Sequence, residues 1–358
     1  METSTDAWLM DNADAPIRYR TARELLYDFK TAKTLASALF THAAVGQWLR
    51  NLTPSPPPQH PWMEHGSFDF CLENAMLKAV QLGLHGGLPQ LKDAAGYTLA
   101  KMKTAAGLSQ KRRDFSAILT SNLLSLAQIE DETVRGVMLA GLDEMHRFAM
   151  RNTVDIYLNA EERKALTGVP RCWKDKPMIK PALVRDYGFA YPLIYDIVGM
   201  HSLCRLRDVA VDQKIGDIIR YISTDAFHRA IGDGYGILPE GGGVYHAMGW
   251  DPKYPGWLGV AEYLETTRAP RLLFFALHAS RYPAARETKW YRELLHCLVA
   301  YQTAEGRFLF PAQWLPEKQG YAVMGSHLSF GENRRKKSWR EIESTFMMRL
   351  FMRSPDQR

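Results

Sequence analysis

The chain has 358 residues but no apolar run near the ~18 needed to span a bilayer as a helix. A membrane span is therefore not expected. It also lacks the basic-then-apolar start of a secretory leader: "METSTDAWLMDNADAP" carries acids there instead, and the expected location is cytoplasmic. Cysteine is scarce. Cys71, Cys172, Cys204 and Cys297 stand far apart with no C-x-x-C pair, which argues against a zinc ribbon or a redox dithiol and for free thiols of the core type. Positive charge is in modest excess, +6, much of it in "QKRRD" (110–114) and "NRRKK" (333–337). Both runs are short and stand without a nucleic-acid-reading motif, so no nucleic-acid partner is expected. They read as solvated surface or as contacts to an anionic small-molecule group. Strand signals are nearly absent.

What is present is helix. Asp14 followed by Pro16 has the form of a helix start, and two helical stretches follow before "TPSPPPQHP" (53–61). Proline lacks an amide hydrogen and disfavours helix in the residue before it, so this segment is expected to be an extended linker. Residues 1–52 then form an N-terminal helical extension and residues 62–358 the main domain. In that domain, helical apolar periodicity recurs in pairs. Phe68, Leu72, Ala75, Met76, Ala79, Val80 and Gly83 share one face. Phe115 opens the next pair, 47 residues after Phe68. A third pair is expected over 186–228, a fourth over 271–303, and "SWREIESTFMMRLFM" closes the chain. Repeated helix pairs imply an open solenoid or a closed ring. The irregular spacing and long aromatic insertions favour a ring, an all-α α/α toroid.

Gln302-x-x-x-Gly306-x-Phe308 resembles the Q-x-x-x-G-x-W repeat of the terpenoid cyclase and protein prenyltransferase α/α toroids, with Phe308 in place of Trp and Trp314 close behind. The resemblance covers about residues 60–355 as architecture and rests on one motif copy. It implies an aromatic-lined central cavity and a largely apolar, isoprenoid-like substrate that is cyclised, isomerised or transferred. The D-x-D-D and D-D-x-x-D motifs of the cyclases and synthases are missing. Prenyltransferases hold zinc with a D-x-C pair and a distant His, and Asp69-Phe70-Cys71 with His246 or His327 supplies those residue types. Neighbours at i and i+2 point to different helix faces, so no cofactor is expected and zinc is the alternative.

The candidate residues fall in four segments. The first surrounds "GGGVYHAMGW" (241–250), where Tyr235, Glu240, Tyr245, His246, Trp250, Asp251, Tyr254 and Trp257 crowd a connection long enough to be functional. Gly241–Gly243 free the backbone there. The segment is either a plug in the ring or a pocket wall or lid with His246 facing the cavity of Tyr191 or Tyr195; the second is the expectation. In "RDYGFAYPLIYD" (185–196), Tyr187, Tyr191 and Tyr195 share a stripe if the helix is continuous, bracketed by Asp186 and Asp196. Buried phenols need hydrogen-bond partners, so the stripe is either core or binding surface. Third, His327, Glu332, Arg334 and Arg335 precede the closing helix, where an anion could be held. Ser338 and Glu341 there form a capping box, and Glu343 stays available. Fourth, "EHGSFDFCLEN" (64–74) contributes His65, Asp69, Glu73 and Asn74.

Proton transfer would fall to His246, Glu240, Asp186, His327 and Glu332. Substrate contacts would fall to Tyr187, Tyr191, Tyr195, Tyr245, Trp250, Trp257 and Arg334, with aromatic faces stabilising positive charge. Two other classes fit the same layout: a glycan-active α/α barrel using paired carboxylates, and a non-catalytic helical-repeat binder. Oligomeric state is open.

Overall fold

A computed structural model describes residues 4–53, 63–106, 112–185, 188–232, 235–248 and 252–353. Asp186, Tyr187, Trp250, Asp251 and all but Thr53 of the expected linker lie outside the described residues. The fold is predominantly helical. In chain order the helices are α1 (Thr5–Asn12), α2 (Ala15–Arg20), α3 (Phe29–Thr41), α4 (Ala43–Leu52), α5 (Leu72–Gln81), α6 (Pro89–Ala106), α7 (Arg112–Leu126) and α8 (Glu132–Ala149). There follow α9 (Ala160–Lys164), α10 (Ile194–Gly199), α11 (Val209–Ile222), α12 (Asp225–Ala230), α13 (Val260–Leu264), α14 (Ala269–Ala279), α15 (Pro283–Arg286), α16 (Lys289–Val299) and α17 (Trp339–Met352). No described helix is long and apolar enough to cross a membrane.

Two antiparallel hairpins interrupt the helices: β1 (Val184–Arg185) with β2 (Gly188–Phe189), and β3 (Gly236–Gly241) with β4 (Val244–Met248). Both are short, and the described residues are otherwise nearly without strand, in keeping with the all-α expectation. The stripe expected through Tyr191 and Tyr195 is broken. Tyr191 precedes Pro192, which disfavours helix at that position, and helix begins only at Ile194. Tyr191 and Tyr195 are therefore not an i, i+4 pair on one helix.

The contacts divide the chain into two compact units. One comprises Met1–Ala100, Leu126–Ile129 and Pro255–Arg358; the other Lys101–Ser125 and Glu130–Tyr254. Residues 1–52 are thus part of the first unit's body. The Arg349 guanidinium grips Asp6 with two bonds of 2.7 and 2.8 Å, and the Asp14 amide donates to Glu332 at 2.8 Å. Asp14 is the N-cap of α2 as expected, yet its side chain makes no cap bond; it accepts from Asn333 N and Lys336 Nζ instead.

In the first unit α5 is buried along its first eight residues, Leu72–Ala79. A helix covered on all sides must find partners for its polar side chains, and α5 carries Glu73, Asn74 and Lys78. Phe68, expected on its apolar face, precedes the helix and is exposed. Helix α17 is buried from Ile342 to Met348. Its Ser344 and Thr345 hydroxyls accept the amides of Phe310 and Phe308, both at 2.9 Å. Ser338 does not cap α17: its backbone is already helical, at φ −87° and ψ 0°, and Arg307 takes Glu341 at 2.6 Å. At the end of α16, the Gln302 side-chain amide reaches the Gly306 carbonyl at 3.4 Å, and Gln302 bridges Phe308 in antiparallel fashion. Gly306 turns with φ +78°.

In the second unit α11 lies against α8, burying Val211, Ile215, Ile218, Ile219 and Ile222 at helical spacing. Asp208 caps α11 by accepting from Ala210 N at 2.8 Å.

Candidate functional site

The titratable side chains that meet in the first unit lie around the start of α5. Met63 and Glu64 carbonyls accept the Leu72 and Glu73 amides at 2.9 and 3.0 Å, which pins the preceding loop to the helix. His65 on that loop places Nδ1 2.5 Å from Glu73 Oε2. Asn74 donates to the Gly66 and Phe68 carbonyls and accepts the Ala322 amide at 2.8 Å. One buried amide side chain therefore joins two loops to α5.

One turn on, Lys78 places Nζ 2.5 Å from Glu317 Oε2 and also donates to the Ser329 carbonyl. Glu317 Oε1 is 3.1 Å from His327 Nδ1, and Asp69 Oδ1 approaches His327 Nε2 at 3.5 Å. The buried His327 ring meets the Trp48 edge at 5.0 Å between centroids. Burial alone would raise the Glu317 carboxyl, but the Lys78 charge and the His327 hydrogen bond hold it below the usual range.

Glu343 of α17 completes the group. Its Oε1 accepts Ser329 Oγ at 2.6 Å, Phe330 N at 2.9 Å and Glu332 N at 3.2 Å. Burial pushes its carboxyl up to about 7, against these bonds and the Lys78 charge. Ser329 thus joins the two halves: its carbonyl takes Lys78 and its hydroxyl takes Glu343. Among the described residues, no hydrogen bond reaches the buried atoms Glu73 Oε1, Asp69 Oδ1, His327 Nε2 or Glu343 Oε2. Buried polar atoms are ordinarily satisfied. Four exceptions in one cluster leave capacity for further hydrogen bonds where acids, a lysine and imidazoles meet.

Of the residues expected to carry chemistry, the structure brings His327 into this cluster together with His65, Asp69, Glu73 and Glu343. Glu332 and Arg334 have structural work instead. Glu332 binds the Asp14 amide and Lys336, and burial raises its carboxyl despite them. Arg334 donates to the Leu315 carbonyl and stacks 4.8 Å over Trp339. Lys78 and Glu317 escaped the sequence reading. Lys78 had a signal, a lysine four residues after Asn74 within an apolar face; Glu317, in an irregular loop, had none.

The second unit contains the hairpin residues. Leu238 stands opposite His246, and Glu240, two residues from Leu238, lies diagonally on that face. His246 Nε2 comes within 3.0 Å of Glu240 Oε2, but both side chains are about a quarter exposed and the contact is not aligned as a hydrogen bond. The three glycines are the hairpin turn, with φ of +89°, +60° and +80°, backbone that only glycine adopts without strain. Tyr245 Oη donates to the Thr167 carbonyl at 2.5 Å. Gly236–Pro239 of β3 is buried, whereas Val244 of β4 is 48% exposed. Tyr191 packs on Phe189 and Phe148, and the buried Tyr195 on Phe115. Trp257 is half-buried and belongs to the first unit.

Of the residues of the zinc alternative, Asp69 and Cys71 belong to the first unit and His246 to the second, while His327, the other histidine considered, has Nε2 3.5 Å from Asp69 Oδ1. Burial raises the Cys71 thiol, opposing the thiolate a metal needs. Among the described residues no three His, Cys, Asp or Glu are grouped to hold a metal. Cys71 and Cys204 are buried thiols, but Cys172 is exposed, unlike a core thiol.

A separate acid lies inside the second unit. Asp196 accepts Asn122 Nδ2 at 2.9 Å and Leu193 N at 2.8 Å, and burial pushes it up to about 6 against both bonds. A cavity of about 10 Å³ beside it is lined by Ser121, Asn122, Met138, Met145 and Phe189. That is room for about one water molecule.

No family model, curated protein or solved structure matches the chain.

Proposed function

We propose that the chain is an enzyme performing acid–base chemistry in an α/α toroid, with its catalytic centre in the first unit. The observation that carries this reading is Glu343. Its carboxyl is wholly buried, pushed up to about 7, and keeps one oxygen without a hydrogen bond among the described residues. A general acid works best with its pKa near the operating pH, and perturbed groups cluster at functional sites. Glu343 delivers the proton. Lys78, held between Glu317 and Ser329, supplies a fixed positive charge that favours the carboxylate left behind.

The substrate in this reading is largely apolar and isoprenoid-like. The Gln302–Gly306 tie and the aromatic rings beside the acids, Trp48, Phe68, Phe70 and Tyr321, support it. The test is a turnover screen of the purified chain against polyprenes and prenyl diphosphates, read by mass spectrometry. Product formation lost in Glu343→Gln, with unchanged far-UV circular dichroism, is the expected result. Full activity in that variant would remove Glu343 from the chemistry. Solution scattering from an elongated particle would oppose the closed ring.

A second reading, a glycan-active enzyme, draws support from Asp69 and Glu317, each about one-third exposed. Paired acids at a surface suit glycosidic cleavage. Oligosaccharide hydrolysis lost in Glu317→Gln would favour it over the apolar substrate.

A further inference from the structure

We infer that the second unit binds a small carboxylate with an apolar body, in the cleft between α9 and the extended segment that pairs with β3. The cleft has a volume of about 360 Å³ and is lined by Arg163, Leu166, Gly168, Val169, Lys174 and Met178. Small-molecule sites have this size and combine apolar walls with a few placed polar groups. The cleft belongs wholly to the second unit and does not depend on the chemistry assigned to the first.

The sequence supplies the charge. Residues 160–180 carry six lysines and arginines against three acids, and two of the acids are already engaged. Glu161 pairs with Lys164 at 2.7 Å, while Glu162 forms the capping box with Asn159 and lies 3.8 Å from Lys180. The third, Asp175, is exposed and does not line the cleft. Lys176 sits 4.8 Å over the Tyr235 ring. That leaves the two cationic residues of the cleft, Arg163 and Lys174, outside any ion pair among the described residues. Arg163 is anchored, because its Nη2 donates to the Lys174 carbonyl. That bond occupies one donor of a planar guanidinium that keeps its charge at any ordinary pH and matches a carboxylate with its fork.

The rest of the lining is apolar and firmly held. Met178 is buried, and its segment is hydrogen-bonded on both sides: Leu158 N donates to the Met178 carbonyl and Ile179 N to the Ile237 carbonyl of β3, each at 2.7 Å. Leu166 and Val169 are half-buried, so an apolar body in the cleft would take further surface from water. The β3–β4 hairpin holds the loop between them. Tyr245 Oη donates to the Thr167 carbonyl, and Gly168 turns with φ +69° where a Cβ would stand 3.7 Å from Gly243 Cα. The glycine turn of the hairpin therefore borders this cleft. A phosphate dianion ordinarily draws on the amides of a helix N-terminus. Arg163 instead lies in the last turn of α9, at the negative pole, which favours the singly charged head.

The experiment uses the full chain labelled with carbon-13 at the methionine methyls. The Met178 signal, assigned by its loss in the nearly volume-conserving Met178→Leu, should move on titration with octanoate and saturate with a Kd on the order of 1 mM. Octanol, the same body without the charge, should bind about tenfold more weakly. A Met178 signal that octanoate leaves in place, or that octanol moves at equal concentration, would overturn the site, and both comparisons are made on the wild type. Octyl phosphate binding more tightly than octanoate would overturn the carboxylate head. Arg163→Gln should weaken octanoate about tenfold and leave octanol unchanged. Unchanged octanoate affinity in the folded variant would overturn the assignment of the head to Arg163. Should that variant fail to fold, the wild-type comparison of octanoate with octanol decides alone.

Discussion

The two histidine–carboxylate pairs, His65–Glu73 in the first unit and His246–Glu240 in the second, look alike as residue types. They differ in what surrounds the acid. Glu73 is fully buried on a helix whose neighbouring polar groups fix two loops, while Glu240 is about a quarter exposed on a hairpin that ends in three glycines. Water screens the second pair and competes for it. The first is held by an over-determined set of bonds. The same chemistry in sequence thus has different consequences because burial, not residue type, decides how strongly two groups act on each other.

The largest effect that would sharpen this contrast is expected at Lys78. Lys78→Met leaves Glu317 without its ammonium and the Ser329 carbonyl with Gln81 Nε2 as its remaining donor, which should cost about 3 kcal/mol in urea unfolding. A loss under about 1 kcal/mol would mean that the buried network is no stronger than a surface pair.

The next concerns pH. Glu343, raised above its unfolded 4.5 to about 7, contributes stability that is fully present below about pH 4.5 and lost as pH rises through about 7. The loss should not exceed about 3.5 kcal/mol, and Glu343→Gln should flatten that window. An unflattened profile measured by denaturant titration would assign it to another group. Asp196, raised from 3.8 to about 6, behaves the same way in a lower window. Its stability is present below about pH 3.8 and lost through about pH 6, by no more than about 3 kcal/mol. Asp196→Asn should flatten only that lower window, and a change above pH 6 would show that the two acids are coupled.

The smallest effect is expected at His246. His246→Ala should change stability by less than about 1 kcal/mol and leave turnover intact. Abolished turnover with an unchanged melting temperature would move the catalytic centre to the hairpin and overturn the comparison.

Much of the helical fold was legible from local pattern. The fourth pair, expected over 271–303, appears as α14 and α16, and the closing helix as α17. Asp14 and Pro16 marked a true helix start. The misreadings occurred where helical spacing met a breaker. Tyr191 and Tyr195 have the right interval, but Pro192 denies them a common helix, which begins only at Ile194. Ser338 and Glu341 have the spacing of a capping box, but a helical backbone at Ser338 and a competing Arg307 prevent it.

By itself the sequence determined the helical class, helix starts such as that at Asp14 and Pro16, the backbone freedom of the glycines at 241–243 and the presence of polar side chains within apolar runs. These depend on backbone preferences and on neighbours a few residues away. Tertiary structure alone decided which of those polar groups meet. Lys78 reaches Glu317 across 239 positions and Ser329 across 251, and Ala322 reaches Asn74 across 248. Such pairs leave no periodic trace in the sequence. Their protonation behaviour follows from the dielectric and the charges the fold places around them, so the same glutamate at 343 becomes an acid near 7 only once α17 is buried against the Ser329–Glu332 segment.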